Sequence, residues 1–392
     1  MRNLFFSLIA FSAIPGIVQA DTEVSQGSKN IDETPHQAPM APTNSAYVAP
    51  AGINIGKPGD IDFFIMSSFL YWQFQQDNLV VGLVQDSSSV TSVPNSYLSN
   101  HFIEINPGFT PGFQVGLGMN LQRDNWEGLA NYTRVHGSYS VSSNGSDPEG
   151  ITIYVTDRLQ AIFPPEMGAA ISSTSSTVTP AYTSLSSTYR NHLDFIDGEM
   201  ARTYYVGKAL TLRTAMGLRS AWILQSLNSS YEVTVDPATA RELFVESQAH
   251  SWGFGPRFGA LLDWGVGKGF SLLGSVYGDI LYTWYRIQDK TAVNFFNPEY
   301  AADRAGVDSN TFTTTDHPRA LRSHIDMEMG VHWGTYLGNK NYHIDFSATY
   351  GFQVFFDQNM FRHWDGLLPA WSTLPHGNLY VNGLTFNARF DF

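Results

Sequence analysis

The chain has 392 residues, no Cys, a formal net charge of −13 and only 15% charged residues, with a mean hydropathy of −0.15. The lack of Cys excludes disulfides and Cys-ligated metal sites, and the acidic balance argues against nucleic acid or anionic lipid as a partner, since both need a basic surface. Soluble chains average roughly 25% charged residues and helical membrane proteins are far more apolar, whereas a β-barrel wall averages out because one face meets lipid and the other water.

Residues 1–20 read as a cleaved secretory signal peptide. Arg2 supplies the basic start, Leu4 to Val18 the apolar run, and Val18-Gln19-Ala20 the small-residue cleavage site. No other run has the length and apolarity of a membrane helix, which needs about 20 residues. Residues 21–60 hold Pro35, Pro39, Pro42, Pro50 and Pro58 among small polar residues. That composition buries too little apolar area to offset chain entropy, so the segment reads as a disordered periplasmic tail.

Residues 61–392 read as all-β: a transmembrane antiparallel up-and-down β-barrel of about ten strands. They are expected near 61–76, 110–122, 125–136, 190–206, 209–226, 250–265, 269–285, 320–336, 341–356 and 377–392. The count rises to twelve if the Ser/Thr-rich stretch 137–189 hides a hairpin around Ile151 to Asp157. Period-two alternation carries this reading. Phe113, Val115, Leu117 and Met119 oppose Gln114, Gly116, Gly118 and Asn120; Met216, Leu218 and Trp222 oppose Arg213, Gly217 and Arg219. Ile325, Met327, Met329 and Val331 oppose His324, Asp326, Glu328 and His332, and Ile344, Phe346 and Tyr350 oppose His343, Asp345 and Thr349. The segments from Trp252 and from Phe270 alternate less sharply, with Arg257, Asp263 and Asp279 on the polar side. The apolar rows of these segments carry no charge, as a lipid-facing row requires, since a charge near mid-bilayer costs roughly 2–4 kcal/mol. Around 190–206 the phases conflict, Asp194 and Arg202 against Asp197 and Glu199, and a bulge is expected there.

The connections alternate short and long, the barrel pattern of tight periplasmic turns and long outer loops. The short ones hold Arg123-Asp124, Gly207-Lys208, Gly265 to Lys268 and Gly338 to Lys340. The long ones lie near 77–108, 137–189, 227–249, 287–319 and 357–376. Trp72, Trp222, Trp252 and Trp284 fall beside long loops and Trp126, Trp264, Trp333 and Tyr342 beside short turns, giving two interfacial girdles. At the end of the sequence, Phe386, Ala388, Phe390 and Phe392 alternate with polar residues and resemble the C-terminal strand signal read by barrel-assembly machinery.

On this phasing the lumen is lined by Arg213, Arg219, Arg257, Asp263, Asp279, Arg322, His324, Asp326, Glu328, His332, His343, Asp345, Arg389 and Asp391. Mixed signs suit either a narrow wet passage or a salt-bridged plug. A barrel protease or phospholipase is the enzymatic alternative, because His324, Asp326 and Glu328 project inward at alternate positions. No nucleophile or carboxylate pair accompanies them, so a charge ladder in a non-enzyme is expected, with no catalytic residue, metal or cofactor. His317, His363 and His376 read as solvated loop histidines. A third reading is an adhesin: the last long loop carries Phe361, Trp364, Leu367, Leu368 and Trp371, which either fold into the barrel mouth or touch a host or neighbouring protein. The expected partners are outer-membrane lipid, the assembly machinery and small solutes. Oligomeric state stays open.

Several stretches resemble a known family: Leu193-Asp194-Phe195-Ile196-Asp197-Gly198-Glu199, Tyr205-Val206-Gly207-Lys208, Gly217-Leu218-Arg219-Ser220-Ala221-Trp222, Gly253-Phe254-Gly255-Pro256-Arg257, Ser68-Phe69-Leu70-Tyr71-Trp72 and Asp357-Gln358-Asn359. The family is that of the Legionella-type, chlamydial-like major outer membrane proteins. The resemblance implies a pore-forming or structural surface protein without catalytic residues. Cys-rich members of the wider group form cross-linked envelopes, a role a chain without Cys does not inherit.

Overall fold

The computed structural model describes residues 49–50, 53, 55, 61–87, 97–121, 125–144, 157–161, 184–234, 240–295, 309–338, 341–361, 363–364, 372–373 and 377–392. The expected signal peptide, most of the expected tail, the Arg123-Asp124 turn, residues 151–156, His376 and the apolar residues 367–371 lie outside them.

Ten strands form the wall: β1 Ile61–Gln76, β2 Phe109–Leu121, β3 Trp126–Asn144, β4 Ser184–Tyr205, β5 Leu210–Thr234, β6 Ala240–Gly267, β7 Phe270–Phe295, β8 Arg319–Leu337, β9 Tyr342–Phe355 and β10 Leu379–Asp391. Each pairs antiparallel with its neighbour in sequence. β10 returns to pair with β1 from Leu379↔Gln76 to Asp391↔Phe64, which closes the barrel. The described residues contain no helix. Strands spaced about 4.8 Å apart and tilted about 40° give ten strands a backbone diameter of about 20 Å. Opposing side chains then nearly meet at the axis.

The wall follows the sequence alternation. Phe113, Val115, Leu117 and Met119, with Met216, Leu218, Phe258, Val276, Leu321, Met329 and Phe386, face outward and are exposed. Polar and charged partners face inward. Trp222, Trp252 and Trp284 stand in one register row across β5, β6 and β7, and Trp252 and Trp284 stack at 4.5 Å. On the turn side Trp333 stacks on Phe346 at 6.2 Å, with Trp264 exposed nearby. The run from Trp252 to Trp264 rises about 30 Å at the usual tilt, matching a bilayer's hydrocarbon thickness. Phe258 lies at its midpoint. Phe258→Arg is therefore expected to lower stability by about 2–4 kcal/mol in urea unfolding from liposomes; an unchanged midpoint would take Phe258 out of the bilayer.

Four expectations are corrected. Trp72 belongs to no girdle: it points inward, and its Nε1 donates to Thr385 Oγ1 at 3.1 Å. No bulge interrupts β4, which keeps one register with β3 from Ser184 to Arg202 and with β5 from Ser184 to Tyr205. The conflict of phase is real but is solved by partners instead. Asp197 and Glu199 face the lumen, while Asp194 faces outward and accepts from Tyr132 at 2.6 Å with His136 at 2.8 Å. Arg202, also outward, lies over the Trp126 and Tyr204 rings. The stretches 227–249 and 287–319 are largely strand, since β5 and β6 stay paired to Thr234↔Ala240 and Ser309–Asp316 pairs with β7. The wall thus projects well past the bilayer, which needs only about 9–11 residues per strand. Finally, Asp157–Ala161 pairs with Val80–Ser87 in a small separate sheet and adds nothing to the barrel, so the wall has ten strands, not twelve. Of the expected tail, Ala49–Pro50 pairs with the end of β4, and the Ile55 N–H donates to Asp62.

Candidate functional site: the barrel lumen

The inner wall changes character halfway along its length. Toward the short turns it is charged and wet. Glu127 on β3 bridges Arg213 on β5 at 2.7 Å and Arg389 on β10 at 3.0 Å. Since β5 and β10 are diametrically opposite, this chain of ion pairs crosses the lumen. Arg213 also holds Glu199 at 2.6 Å and donates to the Tyr277 hydroxyl at 2.9 Å. Arg389 binds Asp391 at 2.8 Å and lies 3.6 Å from the centre of the Phe64 ring. Phe64 can lie flat against the wall because Gly118 beside it has no Cβ; an added one would sit 2.1 Å from that ring. Asp391 further meets His343 at 3.3 Å, and His332 is held between Asp263 at 2.8 Å and Asp345.

A second tier sits deeper. Arg219 forks onto both oxygens of Asp197 at 2.6 and 2.8 Å. Asp279, whose carboxylate is fully buried, gathers Arg219 at 3.2 Å, Arg257 at 3.0 Å and His324 at 2.8 Å. Arg257 reaches on to Asp326 at 3.1 Å. Around these tiers lies a cavity of about 310 Å³, lined among others by Arg213, Arg219, Arg257, Asp263, Asp326, Glu328, His332, Asp345 and Arg389. It shares Glu127, Arg213, Asp263, His332 and Arg389 with a second hollow at the short-turn mouth, so it opens toward that end.

Beyond Asp279 the lumen turns apolar. Leu70, Trp72, Phe74, Val135, Leu193, Phe195, Ile223, Leu281, Phe355 and Val381 form one buried cluster. Above it, wall residues Tyr189, Leu227, Tyr231, Leu243 and Ile287 pack on Leu79, Val81, Ile103 and Ile105 from the β1–β2 connection and on Met360 and Phe361 from the last loop. The connections fold inward as a plug. Tyr231 donates to the Val81 carbonyl at 2.8 Å. Asp357, in the left-handed region at φ 51°, turns the last loop back into the mouth. There Asn359 donates to the Asp77 carbonyl at 2.8 Å, and Gln358 to Ser251 at 3.1 Å. A hollow beside His324 and Phe355 measures about 10 Å³, too small for a water.

All fourteen charged residues named from the sequence stand on the inner side. Nine line the cavity. Asp279, His324, His343 and Asp391 are locked in the ion-pair tiers, and Arg322 lies apart in the plug, donating to Tyr285 at 3.0 Å and touching Met360. His324, Asp326 and Glu328, the acid–base candidates, are each engaged: with Asp279, with Arg257 and with Thr349. Among the described residues no group of His, Asp and Glu is arranged to hold a metal. Phe361 folds inward and is fully buried. Phe386 and Phe392 face outward, with Phe392 paired to Phe63 through both backbone hydrogen bonds. Sequence reading missed Glu127, Asp197 and Glu199, the acids that neutralise the lumen arginines. Their strands alternate weakly, and only the spacing of Glu127 from Asn131 and Thr133 hinted at an inward row.

A family model described as Legionella pneumophila major outer membrane protein precursor matches residues 61–392. No curated protein sequence matches the chain. Among solved structures, the Pseudomonas putida toluene transporter TodX is 8% identical, covering 88% of this chain and 95% of its own, with a TM-score of 0.23. A major outer membrane protein from Thermus thermophilus is 10% identical over 85% of this chain and 99% of its own, with a TM-score of 0.24. A Pseudomonas aeruginosa FadL homologue is 6% identical over 85% and 90%, also at 0.24. The barrel itself is established by its own strand pairing.

Proposed function

We propose a function from the premise that the chain belongs to the Legionella pneumophila major outer membrane protein family, and is therefore an outer-membrane β-barrel: it acts as a narrow pore for small solutes, held shut at its outer half by an apolar plug. The observation that carries this reading is the change of character along the lumen. A barrel serving only as a wall gains nothing from charges inside it, because apolar filling of the same volume is as stable or more so. Ion pairs of both signs around a cavity open to the short-turn end suit a weakly selective wet passage. The apolar section above suits a gate, since hydrophobic constrictions close by dewetting. The protein is non-catalytic on this reading, because the candidate acid–base groups serve as ion-pair partners in the wall.

Purified full-length protein in planar bilayers should give small, reproducible conductance steps with a low open probability. The structural-wall alternative draws on the tight packing of the plug, and silence in high salt would favour it over the pore.

A further inference from the structure

Just beyond the tryptophan row, the outer wall turns from apolar to cationic. Arg190 on β4, Arg286 on β7 and Arg319 on β8 all take outward-facing positions and are exposed. Register and tilt together fix their height, because on strands tilted about 40° a row of cross-strand partners climbs about 3 Å per strand toward the outer rim from β1 to β10. Arg319 is the cross-strand partner of Trp284, and Arg286 follows Trp284 by two positions on the same face. Asp194 on β4 shares that row three strands earlier, about 9 Å lower, and Arg190 lies four positions further out, which makes up the difference. Two residues of a tilted strand rise about 5 Å and four about 10 Å, so the three arginines stand about 1–5 Å beyond Trp284, inside a headgroup layer about 5–7 Å thick. Long arginine stems that reach along the wall place these guanidinium groups in that layer.

The belt is not neutralised by the protein. Among the described residues, Arg190, Arg286 and Arg319 have no ion-pair partner. The nearby acid, Asp194, is taken up by Tyr132 and His136. His136 stacks on His192 at 4.1 Å, and His250 pairs in register with Arg286, so the groups between the arginines are no source of negative charge. Farther from the bilayer the sign changes: Glu246 stands opposite Lys290, and Glu232 opposite Glu242. Unpaired cations confined to one height, on a chain of net charge −13, mark a surface for an anion that occupies that height.

We propose that this belt docks the phosphate groups of an anionic glycolipid in the outer leaflet. All three unpaired cations are arginines, whose planar fork suits phosphate oxygens bidentately. The tryptophan row beneath gives amphipathic rings for the sugar–acyl boundary. Arg286 and Arg319 lie on adjacent strands, and Arg190 stands three strand spacings from β7, about 14 Å away. A headgroup bearing more than one phosphate reaches both that pair and Arg190. The proposal does not depend on whether the lumen conducts.

The test uses the full-length protein in dodecyl maltoside micelles with diphosphorylated lipid A as the probe, and chemically dephosphorylated lipid A as its counterpart, read by native mass spectrometry. The unmodified protein should retain the phosphorylated lipid about tenfold better or more. The triple variant R190A/R286A/R319A should lose that preference while keeping its β-type circular dichroism. Equal retention of the two lipids by the unmodified protein overturns the proposal without recourse to any variant. So does full displacement of the lipid by inorganic phosphate, which would assign the belt to free anions, or an undiminished preference in the folded triple variant.

Discussion

Replacing residues 79–105 with a short Gly/Ser linker, together with Phe361→Ala, should raise single-channel conductance several-fold and lift the open probability. The deleted segment supplies Leu79, Val81, Ile103 and Ile105, which fill the outer lumen against Tyr189, Tyr231, Leu243 and Val245. Phe361 closes the same space from the last loop, edge-on to Tyr189 at 6.3 Å. The wall does not depend on either, because its ladder runs unbroken through β1 and β2, from Ile61↔Leu121 to Gln73↔Phe109. The ends to be joined already lie near each other, since the Ile105 N–H donates to the Leu79 carbonyl at 3.4 Å. What changes is the bore. The apolar stretch that excludes water loses its filling, and the charged lower tiers become the narrowest section. If the doubly altered barrel folds and conducts no better than the original, the plug is not the barrier and the pore reading loses its gate.

Asp279→Ala should be the most destabilising single change in the lumen, by about 3–5 kcal/mol, because it strands buried cations without their counter-charge. Asp279 is shared by Arg219, Arg257 and His324, and its side chain is fully buried. Arg219 keeps its fork on Asp197 and Arg257 keeps Asp326, so the barrel should still assemble but unfold earlier. Asp279→Asn, which preserves shape and removes only the charge, should recover a minor part of the loss. Urea titration of the refolded protein in lipid vesicles reads both. A loss under about 1 kcal/mol for the Ala variant, the range of solvent-exposed pairs, would mean that water reaches this tier and screens it.

Much of the wall was legible in the residues. The ten strands begin and end within a few positions of where alternation and turns put them at the turn side, and the outward rows such as Phe113 to Met119 and Ile325 to Val331 were correctly phased. Period two is a relation between near neighbours, and hydrocarbon rejects charge at every strand alike, so the pattern is written locally. The same logic put Arg213, Arg219 and Asp326 on the inside.

It failed where a residue's surroundings come from distant parts of the chain. Trp72 has the composition and position of a girdle residue, yet β1's phase turns it inward to Thr385. The bulge expected in β4 is absent because Tyr132 and His136 on β3 satisfy Asp194 on the outer face. The upper reaches of β5 to β7 looked like loops because, outside the bilayer, strands are released from the apolar alternation that identified them elsewhere.

The sequence by itself determined a two-faced antiparallel wall, its membrane band and the sign of its inner charges, since each follows from side-chain alternation against lipid. Only the tertiary structure decided that Arg389, Glu127 and Arg213 meet across the lumen, and that residues near 79–105 and 358–361 fill its outer half. Those contacts follow from closing the barrel and from loops burying apolar side chains in the nearest space free of water. Both depend on positions far apart in the chain, which no local pattern records.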